Sequence, residues 1–149
     1  MAINAPDLTR RPPRSPRVRL GSYVILPRIL DKGRATLAQK NGEYVFNCPL
    51  DQRFLKFVRI DVTALKKQIA SGKGDGEILQ WINRTSRTKP APWEIEAWSA
   101  HQERRVPSAL DTREFFQKLH KRAGHKREDV ATWFDLLDLD DHVTFGGKP

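Results

Sequence analysis

The sequence predicts an all-α protein, a compact orthogonal bundle of about six or seven short helices. Apolar residues recur at the three- and four-residue spacing of a helix in seven separate segments. Proline or a capping residue begins most of these segments, and glycine ends several of them. With 149 residues, the chain has the size of one domain and can bury a core without disulfide bonds.

The first twenty residues are predicted to form an extended basic arm, followed by a single helical domain over 21–149. Four prolines in this arm interrupt any continuous helix. Its five arginines repel one another, which favours a solvated segment. These arginines are Arg10, Arg11, Arg14, Arg17 and Arg19.

The first two helices each begin at a proline, a residue that suits the first helical turn. Pro27 starts the first helix, which ends before Asn41–Gly42. Gly33 lies inside its apolar arc and would let a neighbouring element approach closely. The second helix is predicted over 49–58. The short aromatic segment 43–47 between them is predicted to form at most a minor strand.

Capping residues place the third and fourth helices. Asp61 can cap the third helix, which Gly72 ends, and Asp75 can cap the fourth. The glycine-rich segment 72–76 lacks both the ending and the preceding strand of a phosphate-binding loop, so a helix stop followed by a cap explains it. Residues 84–92 have the composition of a linker.

Three further helices complete the bundle. The fifth is predicted from Pro92 to about Arg105. Asp111 and Glu114 have the spacing of a capping box for the sixth, which Gly124 ends. The seventh is predicted over about 127–139, where the apolar residues share one arc.

The fifth helix carries two apolar faces. Trp93 lies on one of them, and Trp98 lies on the other with Ile95. This pattern fits either a helix sandwiched between two elements or an aromatic binding surface, for which Trp98 is the candidate. The sandwich is the expected arrangement in a chain of this length.

The net charge of +9 is concentrated in the first quarter of the chain. Residues 1–34 hold eight basic and two acidic residues, whereas residues 35–149 hold 19 and 16. The near balance of the second part argues against a nucleic-acid-binding face spread over the folded body.

The basic arm has two interpretations. It can tether the protein weakly to nucleic acid through phosphate contacts, although it has no aromatic residue for base stacking. Alternatively, it lies along the domain and pairs with residues 128–141, which contain six acidic residues and no basic one. The second interpretation is favoured, because acidic residues near a helix C-terminus oppose the helix dipole and call for a basic neighbour.

The candidate ligand site is a charged face shared by the first two helices. Its residues are Arg28, Asp31, Lys32, Arg34, Asp51 and Arg53. Arginine side chains bind carboxylate or phosphate groups through paired hydrogen bonds, so the face can form an anion-binding groove. The alternatives are a solvated helix face and a structural ion network that joins the two helices.

Five stretches of the sequence are unusual in combination. They are RPPRSPRVRLGSYVILPRILDKGRA (11–35), NGEYVFNCPLDQRFLKF (41–57), GKGDGEILQWI (72–82), APWEIEAWSA (91–100) and REDVATWFDLLDLDDHVTFGG (127–147). Together they resemble a bacterial family described as domain of unknown function 5069. The resemblance implies a compact, cytosolic helical domain of this size and brings no catalytic residues.

The sequence favours a non-catalytic cytoplasmic binding or interaction module for an anionic ligand or a protein segment. A small enzyme using Asp31, Asp51 and His101 and a weak nucleic-acid binder acting through the arm remain alternatives. The single cysteine excludes an internal disulfide, the acidic cluster at 138–142 lacks the ligand spacing of a calcium loop, and no metal or cofactor is expected. No apolar run approaches the roughly 20 residues of a membrane helix.

Overall fold

The computed structural model describes residues 3–149, which form seven helices and no strand. The helices are α1 (Leu26–Leu37), α2 (Pro49–Val58), α3 (Val62–Ala70), α4 (Asp75–Thr85), α5 (Pro92–Arg104), α6 (Leu110–Gly124) and α7 (Trp133–Thr144). The all-α prediction is therefore confirmed. Residues 43–47 contain turns rather than the minor strand that the sequence allowed. No helix within residues 3–149 is both long enough and apolar enough to cross a membrane.

Two helix starts have different capping contacts from those that the sequence predicted. Asp75 was predicted to cap α4, but Gly74 occupies the cap and the Asp75 carboxylate pairs with Arg14 and Arg34. At the start of α6, the Thr112 hydroxyl accepts a hydrogen bond from the backbone of Ala109, so the predicted Asp111–Glu114 capping box is wrong.

The predicted start of α7 is also wrong by about six residues. The helix begins at Trp133, because Thr132 and Asp135 form a reciprocal capping box at that point. The Arg127 guanidinium instead pairs with Asp129 in the turns that precede the helix. The helix also ends later than predicted, at Thr144.

The main core surrounds the segment from Tyr23 to Leu30, which α2, α3, α4 and α5 enclose. A smaller second core joins α6 to α7 around Phe116 and Leu136. Gly33 faces the main core, where a Cβ atom would lie 2.7 Å from Ile69 Cδ1. The close approach predicted at this glycine is therefore made by side chains of α3 and of the loop before α2.

The arm is fastened to the domain by ion pairs. Arg14 contacts Asp31 and Asp75, Arg17 contacts Asp135 and Asp138, and Arg19 contacts Glu96 and Glu103. Pairing between the arm and the acidic stretch at 128–141 is confirmed by the contacts of Arg17. These contacts hold the three arginines beside acidic side chains, although the repulsion among the arm's arginines favoured a solvated segment. Met1 and Ala2 lie outside the described residues.

Candidate functional site

Arg28 of the predicted site is buried in an ion pair between α1 and α7. Its guanidinium lies 2.7 Å from Asp141 Oδ2 and also donates to the carbonyl oxygen of Arg14, at 3.2 Å. The Tyr44 hydroxyl donates to the other oxygen of Asp141, and the Tyr44 ring lies under the guanidinium. Burial and this hydrogen bond to Asp141 raise the pKa of Tyr44. Arg28 therefore has no face directed at an external ligand.

Lys32 forms a second buried ion pair, with Asp51 at the start of α2. The two charged atoms are 2.8 Å apart, and the Asp51 side chain is fully buried. Lys32 also donates to the carbonyl oxygen of Val45, and the backbone of Asn47 donates to Asp51. This pair holds the loop that precedes α2 against α1.

Asp31 and Arg34 belong to a network that includes the arm. Arg14 bridges Asp31 and Asp75, and Arg34 contacts Asp75 at 2.8 Å. Burial opposes ionisation of Asp75, but hydrogen bonds from Arg14 and Arg34 outweigh it and lower its pKa. Five of the six predicted site residues are thus engaged in internal ion pairs, but among residues 3–149 only the Lys32–Asp51 pair joins the first two helices.

Arg53 differs from the other five, because no carboxylate lies within ion-pair distance of it among residues 3–149. Its Nε donates to Gln102 Oε1 at 2.9 Å. Arg105, just beyond α5, is also without an ion pair in the described part of the chain. Burial and the positive charge of Arg53 lower the pKa of Arg105. We call Arg53, Gln102 and Arg105 the Arg53–Arg105 site.

Aromatic packing between α2 and α5 fixes this site. Phe57 stacks on Trp98 with ring centroids 4.9 Å apart and an interplanar angle of 5°. Arg53 lies one turn before Phe57, and Gln102 lies one turn after Trp98, so the two helices bring their polar groups together beside the stack. The carbonyl oxygen of Arg105 accepts a hydrogen bond from the backbone of Trp133, which anchors the end of α5.

Trp98 was the candidate for an exposed aromatic surface, but in the structure Trp93 is the exposed tryptophan of α5. Trp98 packs against Tyr23, Phe54 and Phe57, so it is part of the core rather than an aromatic binding surface. Trp93, on the opposite face, is 72% exposed. The predicted sandwich is therefore wrong at the first turn of α5, because no second element covers that face.

The three residues of the alternative enzyme site lie apart. Asp31 is held by Arg14, Asp51 is sealed against Lys32, and His101 is exposed on α5. Contacts linking these three side chains are absent from residues 3–149. The structure does not bring them together as a catalytic group.

Two cavities lie elsewhere on the surface. The larger, about 400 Å³, is lined by the loop before α2 and by α3, with Lys66 as its charged residue. Its Thr36 and Asn41 side chains donate to backbone carbonyl oxygens nearby. The smaller, about 220 Å³, contains Arg34 and Lys73 beside the glycine-rich segment. Neither cavity includes Arg53 or Arg105.

Replacing Asp140 with asparagine should stabilise the protein at neutral pH. Burial, together with the negative charge of Asp141, raises the pKa of Asp140. A carboxyl whose pKa is higher in the folded than in the unfolded protein destabilises the folded state at pH values above its unfolded pKa. The effect is complete once the carboxyl is ionised in the folded protein as well. We expect a higher Tm for Asp140→Asn at pH 7, a smaller gain as the pH falls through the raised pKa, and none below the unfolded pKa of about 3.9. A gain that is constant over a pH series of thermal melts would contradict the assignment.

Comparison with known proteins gives one result that identifies the chain. A search among curated proteins found no match. The family model described as Domain of unknown function (DUF5069) matches residues 10–143. This match covers the paired part of the arm and all of α1 to α6, together with most of α7. The chain therefore belongs to the DUF5069 family.

Proposed function

We propose that the protein is a non-catalytic binding module of the cytoplasm that holds an anionic ligand, or an acidic protein segment, at the Arg53–Arg105 site. The observation that carries the proposal is the lack of a carboxylate partner for Arg53 and Arg105 within residues 3–149. The other cations of the predicted groove have such partners. An external carboxylate or phosphate would supply the missing negative charge.

The geometry of the site favours a bound anion over a structural role. Arg53 and Arg105 are both partly buried, and the charge of Arg53 and burial disfavour the charged form of Arg105, which opposes folding. Arginine side chains present paired donors that match the oxygens of a carboxylate or a phosphate. Since Gln102 already accepts from Arg53, the remaining guanidinium donors are available to a ligand. None of Arg53, Gln102 and Arg105 is a general acid or base suited to catalysis near neutral pH, which supports binding without a reaction.

Thermal unfolding with inorganic phosphate, citrate and poly-glutamate tests this proposal. We expect at least one of these probes to raise the Tm of the protein in a concentration-dependent way. The increase should be absent in Arg53→Gln and Arg105→Gln. It should be retained in Arg104→Gln, which removes the same charge from the exposed end of α5.

The variants also report on the fold without ligand. Because Arg105→Gln removes a repelled and partly desolvated charge, its Tm should equal or exceed that of the parent protein. The proposal is contradicted if no probe raises the Tm of the parent protein. It is equally contradicted if the two site variants respond to the probes as the Arg104 variant does.

A further inference from the structure

A second cationic surface lies where the end of α4 and the linker that leads to α5 meet the end of α2. Its basic residues share two properties: each is exposed, and none has an ion-pair partner among residues 3–149. They are Lys56, Arg59, Arg84, Arg87 and Lys89. We call these residues, together with Trp93 in the first turn of α5 four residues beyond Lys89, the junction patch.

Hydrogen bonds fix the linker of the junction patch to the end of α2. The backbone of Arg87 donates to the carbonyl oxygen of Val58 at 3.2 Å. The Thr88 hydroxyl donates to the carbonyl oxygen of Phe57, and Lys89 Nζ donates to that of Arg84. These contacts place the basic residues of the linker beside Arg59, which directly follows Val58. The linker therefore presents its charges from a held backbone.

Two basic residues of the patch occupy left-handed backbone conformations. The φ angle is 51° at Arg59 and 41° at Lys89. Glycine or asparagine adopts this region at lower energy than a long side chain does. At Arg59 this conformation ends α2, where its backbone donates to the carbonyl oxygen of Leu55.

Trp93 adds an aromatic surface to the patch. It follows Lys89 by four residues and is 72% exposed. Across α2, α4, α5 and residues 86–91, no other large apolar side chain is as exposed. A single exposed indole can stack on a nucleic-acid base.

The near-balanced charge of residues 35–149 conceals this local excess. Of the 16 acidic residues in 35–149, six lie in 128–141. These six include the ion-pair partners of Arg17 and Arg28. Residues 84–93 contain three basic residues and no acidic one. The sequence average therefore understates the positive charge at the junction of α2, α4 and α5.

We propose that the junction patch binds single-stranded nucleic acid, with its cations on the phosphates and Trp93 stacked on a base. This inference does not depend on the Arg53–Arg105 site. Unpaired bases are required, because a surface indole can stack only on a base whose face is accessible. One isolated tryptophan is too little apolar surface for membrane insertion, and five exposed cations without ion-pair partners among residues 3–149 match a run of phosphates.

Fluorescence anisotropy with labelled twelve-nucleotide strands of dT and of U tests the proposal. The variant Arg84→Gln/Arg87→Gln/Lys89→Gln removes three charges from the patch. We expect it to weaken binding about tenfold or more near 50 mM salt and to reduce the salt slope by about 2, since each phosphate contact on a single strand contributes about 0.7. A matched control, Lys118→Gln/Lys121→Gln/Lys126→Gln, removes three exposed charges around α6 and should change affinity less than about threefold.

Trp93→Ala tests the stacking contact without changing charge. It should weaken binding to the dT strand by roughly tenfold, and it should leave binding to an abasic strand of equal length unchanged. The exposed position of Trp93 makes this variant informative even if the triple patch variant fails to fold, which thermal melts would reveal.

Three outcomes would each overturn the proposal. The first is an equal loss of affinity in the patch and control triple variants, which would indicate attraction to overall charge. The second is a Trp93→Ala variant that binds dT as the parent protein does. The third is patch-dependent binding of poly-glutamate, or of vesicles containing anionic lipid, at least as tight as binding of the dT strand, which would make the partner an acidic protein or a membrane.

Discussion

Replacing Asp51 with alanine is expected to lower the free energy of unfolding by about 3–5 kcal/mol, because it leaves the buried Lys32 ammonium without its counter-charge. The remaining neighbours of Lys32 are the carbonyl oxygen of Val45 and the Cys48 sulfur. Neither carries the negative charge needed to offset the desolvation of an ammonium group. Asp51 also accepts from the backbone of Asn47, so the loop before α2 loses an anchor as well. Urea unfolding monitored by circular dichroism measures the effect.

Asp61→Ala provides a matched control for this prediction. Asp61 likewise accepts a backbone hydrogen bond at the start of a helix, from Ala64 at 3.0 Å, but it is exposed and without an ion pair in the described structure. Its replacement should cost about 1 kcal/mol, the usual value of a helix cap. The difference between the two losses in free energy of unfolding measures the cost of leaving the buried Lys32 charge unpaired. Equal losses in Asp51→Ala and Asp61→Ala would show that the ion pair contributes little.

A double variant separates the cost of an orphaned charge from the value of the pair. Lys32→Met/Asp51→Asn removes both charges and keeps a side-chain oxygen for the Asn47 backbone. We expect it to recover most of the stability lost in Asp51→Ala, because replacing both members of a buried pair avoids leaving one charge unpaired.

Helix positions were predictable where a proline marks the first turn. Pro27, Pro49 and Pro92 each lie in the first turn of a helix, as their lack of a backbone donor favours. The boundary of α7 was missed because the apolar arc of its sequence continues upstream of the real start. The capping box of Thr132 and Asp135 decides that start, and its threonine–aspartate spacing is visible in the sequence.

Partners of the charged residues were not predictable, because they come from distant parts of the chain. Arg28 and Asp141 are 113 residues apart, and their contact depends on how α7 packs against α1. Arg105 was not recognised as a site residue for the same reason. The effect of the Arg53 charge on Arg105 depends on how α2 packs against α5, where Phe57 stacks on Trp98, and the sequence does not specify that packing. Periodicity indicates which face of a helix is polar but not which charges on it are neutralised.

Replacing Asp141 with alanine should be the other strongly destabilising change, again by about 3–5 kcal/mol. The buried guanidinium of Arg28 would lose its carboxylate, and the Tyr44 hydroxyl would lose its acceptor. Tyr44→Phe removes only the second of these contacts and should cost about 1 kcal/mol. Asp138→Ala, one turn earlier on α7, breaks a more exposed contact with Arg17 and should cost up to about 1 kcal/mol. Urea midpoints at an unchanged m value measure all three effects.

The double variant Arg28→Met/Asp141→Leu shows whether the Arg28–Asp141 ion pair adds net free energy of unfolding. If most of the stability returns, the pair adds little net free energy, and its contribution is to specify how Tyr44 and the loop before α2 meet α7. If the double variant remains as unstable as Asp141→Ala, the pair itself stabilises the contact between α1 and α7. In both cases Arg28 serves the fold, which leaves Arg53 as the one cation of the predicted groove, within the described chain, whose charge has no internal partner. An Asp141→Ala variant as stable as Asp138→Ala would contradict this account, because it would mean that Arg28 reaches solvent or another acceptor when its carboxylate is removed.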